Sequence, residues 1–376
     1  MGSGRRLGVL MLIGLVLSVA ACGGGSANNA GTAAAKVDTA KVDEILRPYT
    51  GTSTAFPVDQ PLTKKPQGAT IAYLQCATPF CAIFSDLLKA AADAIGARLT
   101  VTKADASATG LQSAADTIIS QKPDAVILPG IDPATIKNQL AALEKSGTPV
   151  LGNGIIGAAD YGIDVSFNDT STMTIVGTVL AAWALKQRGA GTNAVFYTIP
   201  ELNFSGVVQK AFSKTYADLC PDCALRTENI PVSSIGSTAP QKVVSDLQAH
   251  PGTNIAVFAS EEAATGLPAQ LKVAGLHEQV KVNGFGAPPA ILEDIKSGRT
   301  AASMDVDVAV CQWALVDAAA RLITGQPLTD GEKAGIPPLS LIDAKSLDGK
   351  DVSRGYAAYP DFVQTFTKLW SGSPAA

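Results

Sequence analysis

Residues 123–151 read PDAVILPGIDPATIKNQLAALEKSGTPVL, and their pattern sets the fold class. Asp124–Pro129 is a continuous apolar run, which is typical of a strand covered on both faces. Asp132 is a suitable N-cap for the helix that follows, and Gly147 suits its end. Thr148–Leu151 then supplies the next short apolar strand. The stretch therefore predicts one β-α-β unit of a parallel sheet.

The same alternation of strands and helices continues on both sides of this unit. Upstream, Thr70–Gln75 is rich in strand formers, and Phe80–Ile95 places apolar residues at three- and four-residue steps, which indicates a helix. A second series of alternating elements extends from Thr172 to Ile323. Two such runs predict an α/β fold with two doubly wound parallel-sheet lobes. Ligands in such folds bind outside the carboxyl ends of the strands, so we expect a cleft between the lobes.

Composition excludes several classes of function. The 376 residues are 47% hydrophobic and 16% charged, which is ample for about two globular domains and excludes a long disordered chain. Lys and Arg number 29 against 33 Asp and Glu, so there is no basic excess for nucleic-acid binding. Only His250 and His277 occur, which disfavours His-rich metal sites and His-based triads. Sequence motifs of the common hydrolases and NTPases are absent, so we predict a protein that is not an enzyme.

The N-terminus has the features of an export signal. A short basic head precedes Leu7–Val19, an apolar run of 13 residues that is too short to span a membrane. Two alanines and Cys22 follow, which resembles the lipobox of bacterial lipoproteins. The resemblance implies a signal peptide over 1–21, a lipid on Cys22, and a tether with an N-terminal extension over 22–67. The alternative is an ordinary signal peptide with an incidental cysteine.

The other five cysteines fit an oxidising compartment. Cys76 and Cys81 flank a strand-to-helix turn, and Cys220 and Cys223 lie in a helix-to-strand turn. In an exported protein, we expect these to be two local disulfides, Cys76–Cys81 and Cys220–Cys223. A zinc site would need the two pairs to converge, or histidines nearby, so no metal is expected. Cys311 is expected to be a buried free thiol.

Several short strings, in order, are similar to type I periplasmic binding proteins of the ribose- and galactose-binding kind. The similarity covers about 68–326. It implies capture of a solute between two hinged lobes outside the cytoplasm, delivery to the permease of an ABC importer, and no cofactor. The strings are Thr78-Pro79-Phe80, Pro123-Asp124-Ala125-Val126-Ile127-Leu128, Gly147-Thr148-Pro149-Val150, Val257-Phe258-Ala259-Ser260-Glu261, Val282-Asn283-Gly284-Phe285, Ile295-Lys296-Ser297-Gly298 and Ala301-Ala302-Ser303.

The resemblance also implies domain boundaries and ligand contacts. The expected segments are an N-terminal lobe of 68–158 plus 287–304, a C-terminal lobe of 159–286 plus 305–330, and a C-terminal extension of 331–376 packed on the lobes. Crossings between the lobes are expected near Ile156–Asp164, Gly284–Pro288 and Met304–Val308. The expected ligand-binding residues are Phe80, Cys81, Asn153, Asn203, Phe204, Glu261, Gly286, Asp305 and Asp307.

Departures from the family pattern bear on the ligand. Gly286 stands where an aspartate is usual, and the arginine that often grips sugar hydroxyls is absent from 201–206. A site without arginine or lysine disfavours anions. We expect a sugar or sugar-like polyol, with an amine or a largely apolar aromatic or alicyclic compound as the alternative. The protein is expected to be a monomer, and a sensor that presents its ligand to a membrane receptor remains the alternative to transport.

Overall fold

The computed structural model describes residues 36–51, 53, 55–105 and 107–372. The predicted signal peptide, the lipid attachment at Cys22 and the start of the tether lie outside the described residues. Among the described residues, no helix is long and apolar enough to cross a membrane. The same residues contain no group of three or more His, Cys, Asp or Glu side chains placed to hold a metal ion.

Strands and helices alternate over most of the chain. The strands are β1 Thr70–Gln75, β2 Arg98–Lys103, β3 Ala125–Leu128, β4 Val150–Asn153, β5 Val165–Phe167, β6 Asn193–Thr198, β7 Ala224–Asn229, β8 Ile255–Phe258, β9 Lys281–Gly284, β10 Ser303–Val306 and β11 Leu339–Ile342. The helices are α1 Thr39–Leu46, α2 Pro79–Ile95, α3 Ala108–Gln121, α4 Lys137–Ser146, α5 Thr170–Arg188, α6 Asn203–Leu219, α7 Ala239–Ala249, α8 Leu267–Val273, α9 Pro289–Lys296, α10 Val308–Thr324, α11 Asp330–Ala334 and α12 Phe362–Trp370.

The first lobe is built on a five-stranded parallel sheet in the order β2-β1-β3-β4-β5. Alternate residues of its strands point to opposite faces. On one face, Ile71 and Tyr73 pack with α2, α10 and α12, and on the other, Ala72 and Leu74 pack with α3 and α4. Both faces of the sheet are therefore buried, which explains the apolar run at β3.

The second lobe contains a four-stranded parallel sheet in the order β7-β6-β8-β9. Phe196 and Val257 face α1, α5 and α6, while Val195 and Phe258 face α7, α8 and α9. The antiparallel pair β10-β11 continues this lobe through a bridge from Phe285, beyond β9, to β10. The predicted α/β fold with two parallel-sheet lobes is thus confirmed.

The assignment of the last segments to the lobes differs from the expectation. The expected first-lobe segment 287–304 contains α9, whose Ile291 and Ile295 lie in the core of the second lobe. The expected second-lobe segment 305–330 contains α10, whose Trp313 lies in the core of the first lobe. Periodicity indicates that a helix has a buried face, but it does not say which sheet covers that face.

The passages between the lobes also differ in part. Residues 156–164 stay in the first lobe, because β5 beyond them joins its sheet, and the chain crosses only at 168–169 before α5. Residues 284–288 remain with the second lobe. The expected crossing at Met304–Val308 agrees with the structure, since β10 belongs to the second lobe and α10 to the first. A further passage at 335–338 leads back to β11.

Segments outside the family-like region touch both lobes. At the N-terminal side, Val42 of α1 packs in the second lobe, whereas Val58 packs in the first. At the C-terminal side, Tyr356 packs in the second lobe, whereas Trp370 of α12 packs in the first. The Trp370 indole N–H donates to Asp317 Oδ1 of α10 at 2.6 Å. These segments therefore add two more connections between the lobes.

The structure pairs the cysteines as the sequence predicts. Cys76 is bonded to Cys81 with their Cα atoms 5.6 Å apart, and Cys220 is bonded to Cys223 with a Cα separation of 5.4 Å. Cys311 is a buried free thiol in α10. The first pair links the loop after β1 to the first turn of α2, and the second lies between α6 and β7.

Candidate functional site

A cavity lies between the two lobes, at the carboxyl ends of both parallel sheets. The first lobe lines it with residues that follow β1, β3, β4 and β5, together with the first turns of α10. The second lobe lines it with residues that follow β6, β8 and β9. This is the position expected for a ligand in a fold of this class.

Five of the expected ligand-binding residues line this cavity. They are Phe80, Cys81, Asn153, Phe204 and Gly286. Phe80 and Cys81 come from the first turn of α2, and Phe204 comes from the first turn of α6. Asn153 ends β4, and Gly286 follows β9 with a φ of 72°, a conformation that favours glycine. These five come from both lobes, as capture between the lobes requires.

The expected acidic residue at the end of β8 is displaced by one position. Glu262 lines the cavity, whereas Glu261 is fully buried outside it. The Glu261 side chain lies against Gly284 of β9. A Cβ atom added to Gly284 would be 2.5 Å from Cγ of Glu261, so no larger residue fits there. Burial raises the pKa of Glu261 well above its usual range, because the core disfavours the charged form.

Asp305 and Asp307 support the backbone rather than line the cavity. Asp305 Oδ2 accepts the N–H of Ala287 at 3.2 Å, and burial raises the pKa of Asp305 to about 7. Asp307 caps α10 by accepting the N–H of Val310 at 3.0 Å. Both carboxyls are buried and have backbone partners, so the expectation that they contact a ligand is corrected.

Asn203 lies next to the cavity without lining it. Its Nδ2 donates to the carbonyl of Ile156 in the first lobe at 3.4 Å, a contact across the cleft. Met304, at the start of an expected crossing, is buried in the core of the second lobe. Of the first two residues of α6, Phe204 therefore lines the cavity and Asn203 does not.

Sequence reasoning missed several lining residues. Asn168 follows the three-residue strand β5, and Gln312 lies in the second turn of α10. Thr78, Phe84 and Ser260 adjoin expected positions. A polar residue on the first turns of an otherwise apolar helix was the available signal for Gln312.

The phenylalanine of α6 reaches across the cleft to two glycines. A Cβ atom on Gly130 or Gly154 of the first lobe would lie 3.5 or 3.6 Å from Cδ1 of Phe204. The Phe204 ring also meets Phe285 edge-on, with centroids 6.1 Å apart. The Phe204 ring therefore lies opposite the small residues that follow β3 and β4, with room for no more than an ordinary side-chain contact between them.

Glu262 makes the principal polar contact across the cleft. Its Oε1 accepts the backbone N–H of Phe80 in the first turn of α2 at 2.8 Å, where the helix presents unpaired N–H groups. Burial raises the pKa of Glu262 to about 7, and the hydrogen bonds from the Phe80 N–H and the Thr78 side chain oppose that rise. The carboxyl thus joins the lobes in the closed arrangement.

The opposite wall carries neutral amides. Asn168 adopts a φ of 56°, which asparagine tolerates, and its Nδ2 donates to Asn153 Oδ1 at 2.6 Å. Asn168 Oδ1 and Gln312 Nε2 are buried and have no hydrogen-bond partner among the described residues. Buried polar atoms are almost always paired, so one acceptor and one donor are available here for a bound molecule.

Next to the cavity, Asp307 ties together the passages between the lobes. Its Oδ2 accepts the N–H groups of Ala358 and Tyr359 at 2.8 and 3.0 Å, and its own N–H donates to the carbonyl of Pro338 at 3.0 Å. One residue therefore connects three separate crossings, which form the hinge side of the cleft.

Comparison with known proteins agrees with this arrangement of lobes, cleft and hinge. The family model described as the periplasmic binding protein domain matches residues 71–327. The chain belongs to this family. No curated protein sequence matches the chain. The match leaves the segments before residue 71 and after residue 327 outside the family region.

Solved structures of periplasmic binding proteins share the fold at low sequence identity. A solute-binding protein from Agrobacterium vitis with bound α-D-tagatopyranose has a TM-score of 0.65 and 20% identity, covering 77% of this chain and 99% of its own. A solute-binding protein from Actinobacillus succinogenes with bound D-allose has a TM-score of 0.63 and 19% identity, covering 74% of this chain and 98% of its own. A solute-binding protein from Thermotoga lettingae in complex with 5-methylthioribose has a TM-score of 0.67 and 15% identity, covering 81% of this chain and 99% of its own.

Proposed function

We propose that this periplasmic binding protein captures a small neutral solute of the sugar type between its lobes and delivers it to the permease of an ABC importer. The observation that carries the proposal is the cavity at the carboxyl ends of both sheets, closed by Phe204 and Glu262 from one lobe against the other. Contacts from both lobes favour the closed form when a ligand is present.

The ligands of similar structures support the sugar assignment. Two of them hold a hexose, and one holds 5-methylthioribose, which is a sugar with an apolar arm. Among the described lining residues there is no arginine or lysine to neutralise an anion. A neutral ring of this size therefore suits the cleft better than a phosphate or a carboxylate.

The solute is expected to leave the protein unchanged. The only carboxyl among the described lining residues, Glu262, is engaged with the Phe80 N–H, and burial raises the pKa of the Cys311 thiol far above its usual value. A general base needs a carboxylate that is free to take a proton, and a cysteine nucleophile needs a thiol with a lowered pKa. We expect a monomer outside the cytoplasm, held at the membrane by a lipid on Cys22.

Ligand screening tests the proposal. Thermal shift and calorimetry on the purified chain with D-allose, D-tagatose, D-ribose and D-galactose should show at least one ligand that raises the melting temperature. Phe204→Ala should weaken that binding by at least tenfold, because it removes an aromatic ring from the wall of the cavity. Phe362→Ala, at the first turn of α12 and packed on Trp313, is the matched control and should bind normally.

The outcome against the proposal is equally concrete. If a sugar phosphate or a dicarboxylate binds more tightly than every neutral compound, the solute class is wrong. If Phe204→Ala binds as well as the Phe362→Ala control, the cavity between the lobes is not the binding site.

A further inference from the structure

We infer that the cleft selects a ring compound with two or three polar groups on an otherwise apolar body, rather than a sugar with a hydroxyl group on nearly every carbon. The inference rests on the proposed function, because it specifies the solute that the same cleft takes. It follows from the balance between aromatic surface and free hydrogen-bonding groups in the described walls.

Aromatic rings line the cavity from both lobes. Phe80 and Phe84 of α2 meet edge-on with centroids 5.3 Å apart, and Phe204 and Phe285 form a second edge-on pair on the other side. Leu202 and other aliphatic residues fill the space beside them. A hydroxyl held against such a surface loses its water without gaining a partner, which is unfavourable. An apolar ring face or an alkyl group gains from the same contact.

Few polar groups are free to bind a hydroxyl. Asn153 Oδ1 already accepts from Asn168, and Glu262 Oε1 already accepts from the Phe80 N–H. Asn168 Oδ1 and Gln312 Nε2, which are 5% and 1% exposed as residues, lack any partner among the described residues. Together with Asn153 Nδ2, which donates no hydrogen bond to the described residues, they offer one acceptor and two donors on the same wall.

This supply does not match a polyol. Every hydroxyl of a sugar both donates and accepts a hydrogen bond, so five or six hydroxyls need about ten matched groups when the lobes close. A site that leaves a hydroxyl unpaired binds more weakly, by roughly tenfold or more for each one. Two or three polar groups, by contrast, can be met by Asn168, Gln312 and Ser260, which line the cavity.

Two compounds with the same six-carbon ring test the inference. Trans-1,4-cyclohexanediol has two hydroxyls, and myo-inositol has six. Calorimetry on the full chain should give the diol a dissociation constant at least tenfold lower. If myo-inositol or a sugar of the earlier panel binds more tightly than the diol, the inference is overturned while the proposed function stands. If neither the diol nor myo-inositol binds, the inference is overturned as well. The proposed function is then wrong only if none of the sugars in the earlier panel binds either.

A matched pair of variants tests the role of the free donor. Gln312→Leu and Thr172→Val each remove a buried side chain polar atom that has no partner among the described residues, but only Gln312 lines the cavity. Both variants should melt at or above the temperature of the parent, since no protein hydrogen bond to these atoms is lost. Gln312→Leu should weaken diol binding by at least tenfold, and Thr172→Val should not. Equal diol affinity in the two variants would overturn the assignment of Gln312.

Discussion

The cleft and the hinge both join the two lobes, but they do so with different contacts. Across the cleft, Phe204 lies opposite Gly130 and Gly154, and Glu262 accepts one N–H from α2. At the hinge, the buried carboxylate of Asp307 accepts N–H groups from its own helix and from residues 358 and 359. The cleft can therefore open at the cost of few bonds, whereas the hinge keeps its bonds when the lobes move.

The largest difference between the two regions should appear when the hinge carboxylate is removed. Asp307→Ala leaves buried N–H groups without an acceptor and removes the N-cap of α10. We expect a loss of about 3 kcal/mol in the free energy of unfolding, measured by urea denaturation.

The matched control for this variant is another aspartate N-cap at a crossing. Asp169 caps α5 by accepting the N–H of Ser171 at 2.9 Å, but it is only half-buried. Asp169→Ala should cost about 1 kcal/mol. If both variants lose the same stability, the hinge role of Asp307 is wrong.

The next effect concerns the carboxyl in the cleft. Because burial raises the pKa of Glu262 from 4.5 to about 7, its protonated form stabilises the closed fold below pH 4.5, and this stabilisation is lost as the pH rises through 7. As the pH rises from 5.5 to 8.5, titration of Glu262 should lower the free energy of unfolding of the parent protein by about 2 kcal/mol. Glu262→Gln should lack that part of the pH dependence. Parallel profiles for the parent and Glu262→Gln in urea denaturation would contradict the assignment, because Asp305 and Glu261 are present in both proteins.

The smallest difference in stability is expected between the two disulfides. Each closes a very short loop, so replacing either pair by serines should cost about 2 kcal/mol. The effect on binding should separate them, since Cys76 and Cys81 line the cavity and Cys220 does not. Affinity for D-ribose and trans-1,4-cyclohexanediol should fall only in the Cys76→Ser, Cys81→Ser protein. A fall of the same size in the Cys220→Ser, Cys223→Ser protein would show that the effect is not local.

Much of the fold was predictable because local patterns carry it. The apolar run at β3 and the glycine at 147 each act within one element, and the structure has them as expected. Asp132 is also an N-cap, but it caps a 3-10 turn over Pro133–Ile136, and α4 begins only at Lys137. The lobe that receives α9 or α10 depends on contacts between distant segments. Short β5 was missed because three residues carry too little periodicity to distinguish a strand from a loop.

The site was predictable to the level of loops but not always to the level of side chains. The loop after β8 was correctly placed, but the single turn over Glu261–Ala264 decides which of two adjacent glutamates faces the cavity. The family resemblance implies ligand contacts for Asp305 and Asp307. Their actual partners are backbone groups of residues 287, 306, 310 and 358–359, and no pattern near them in sequence reveals those partners.

The path of the chain through the first lobe has a consequence for biosynthesis. Its central strands are translated early, yet its core also contains Val58, α10 and, from the end of the described chain, Trp370. The second lobe draws its sheet from one uninterrupted stretch between β6 and β9. The core of the first lobe is therefore completed only after α12 has docked.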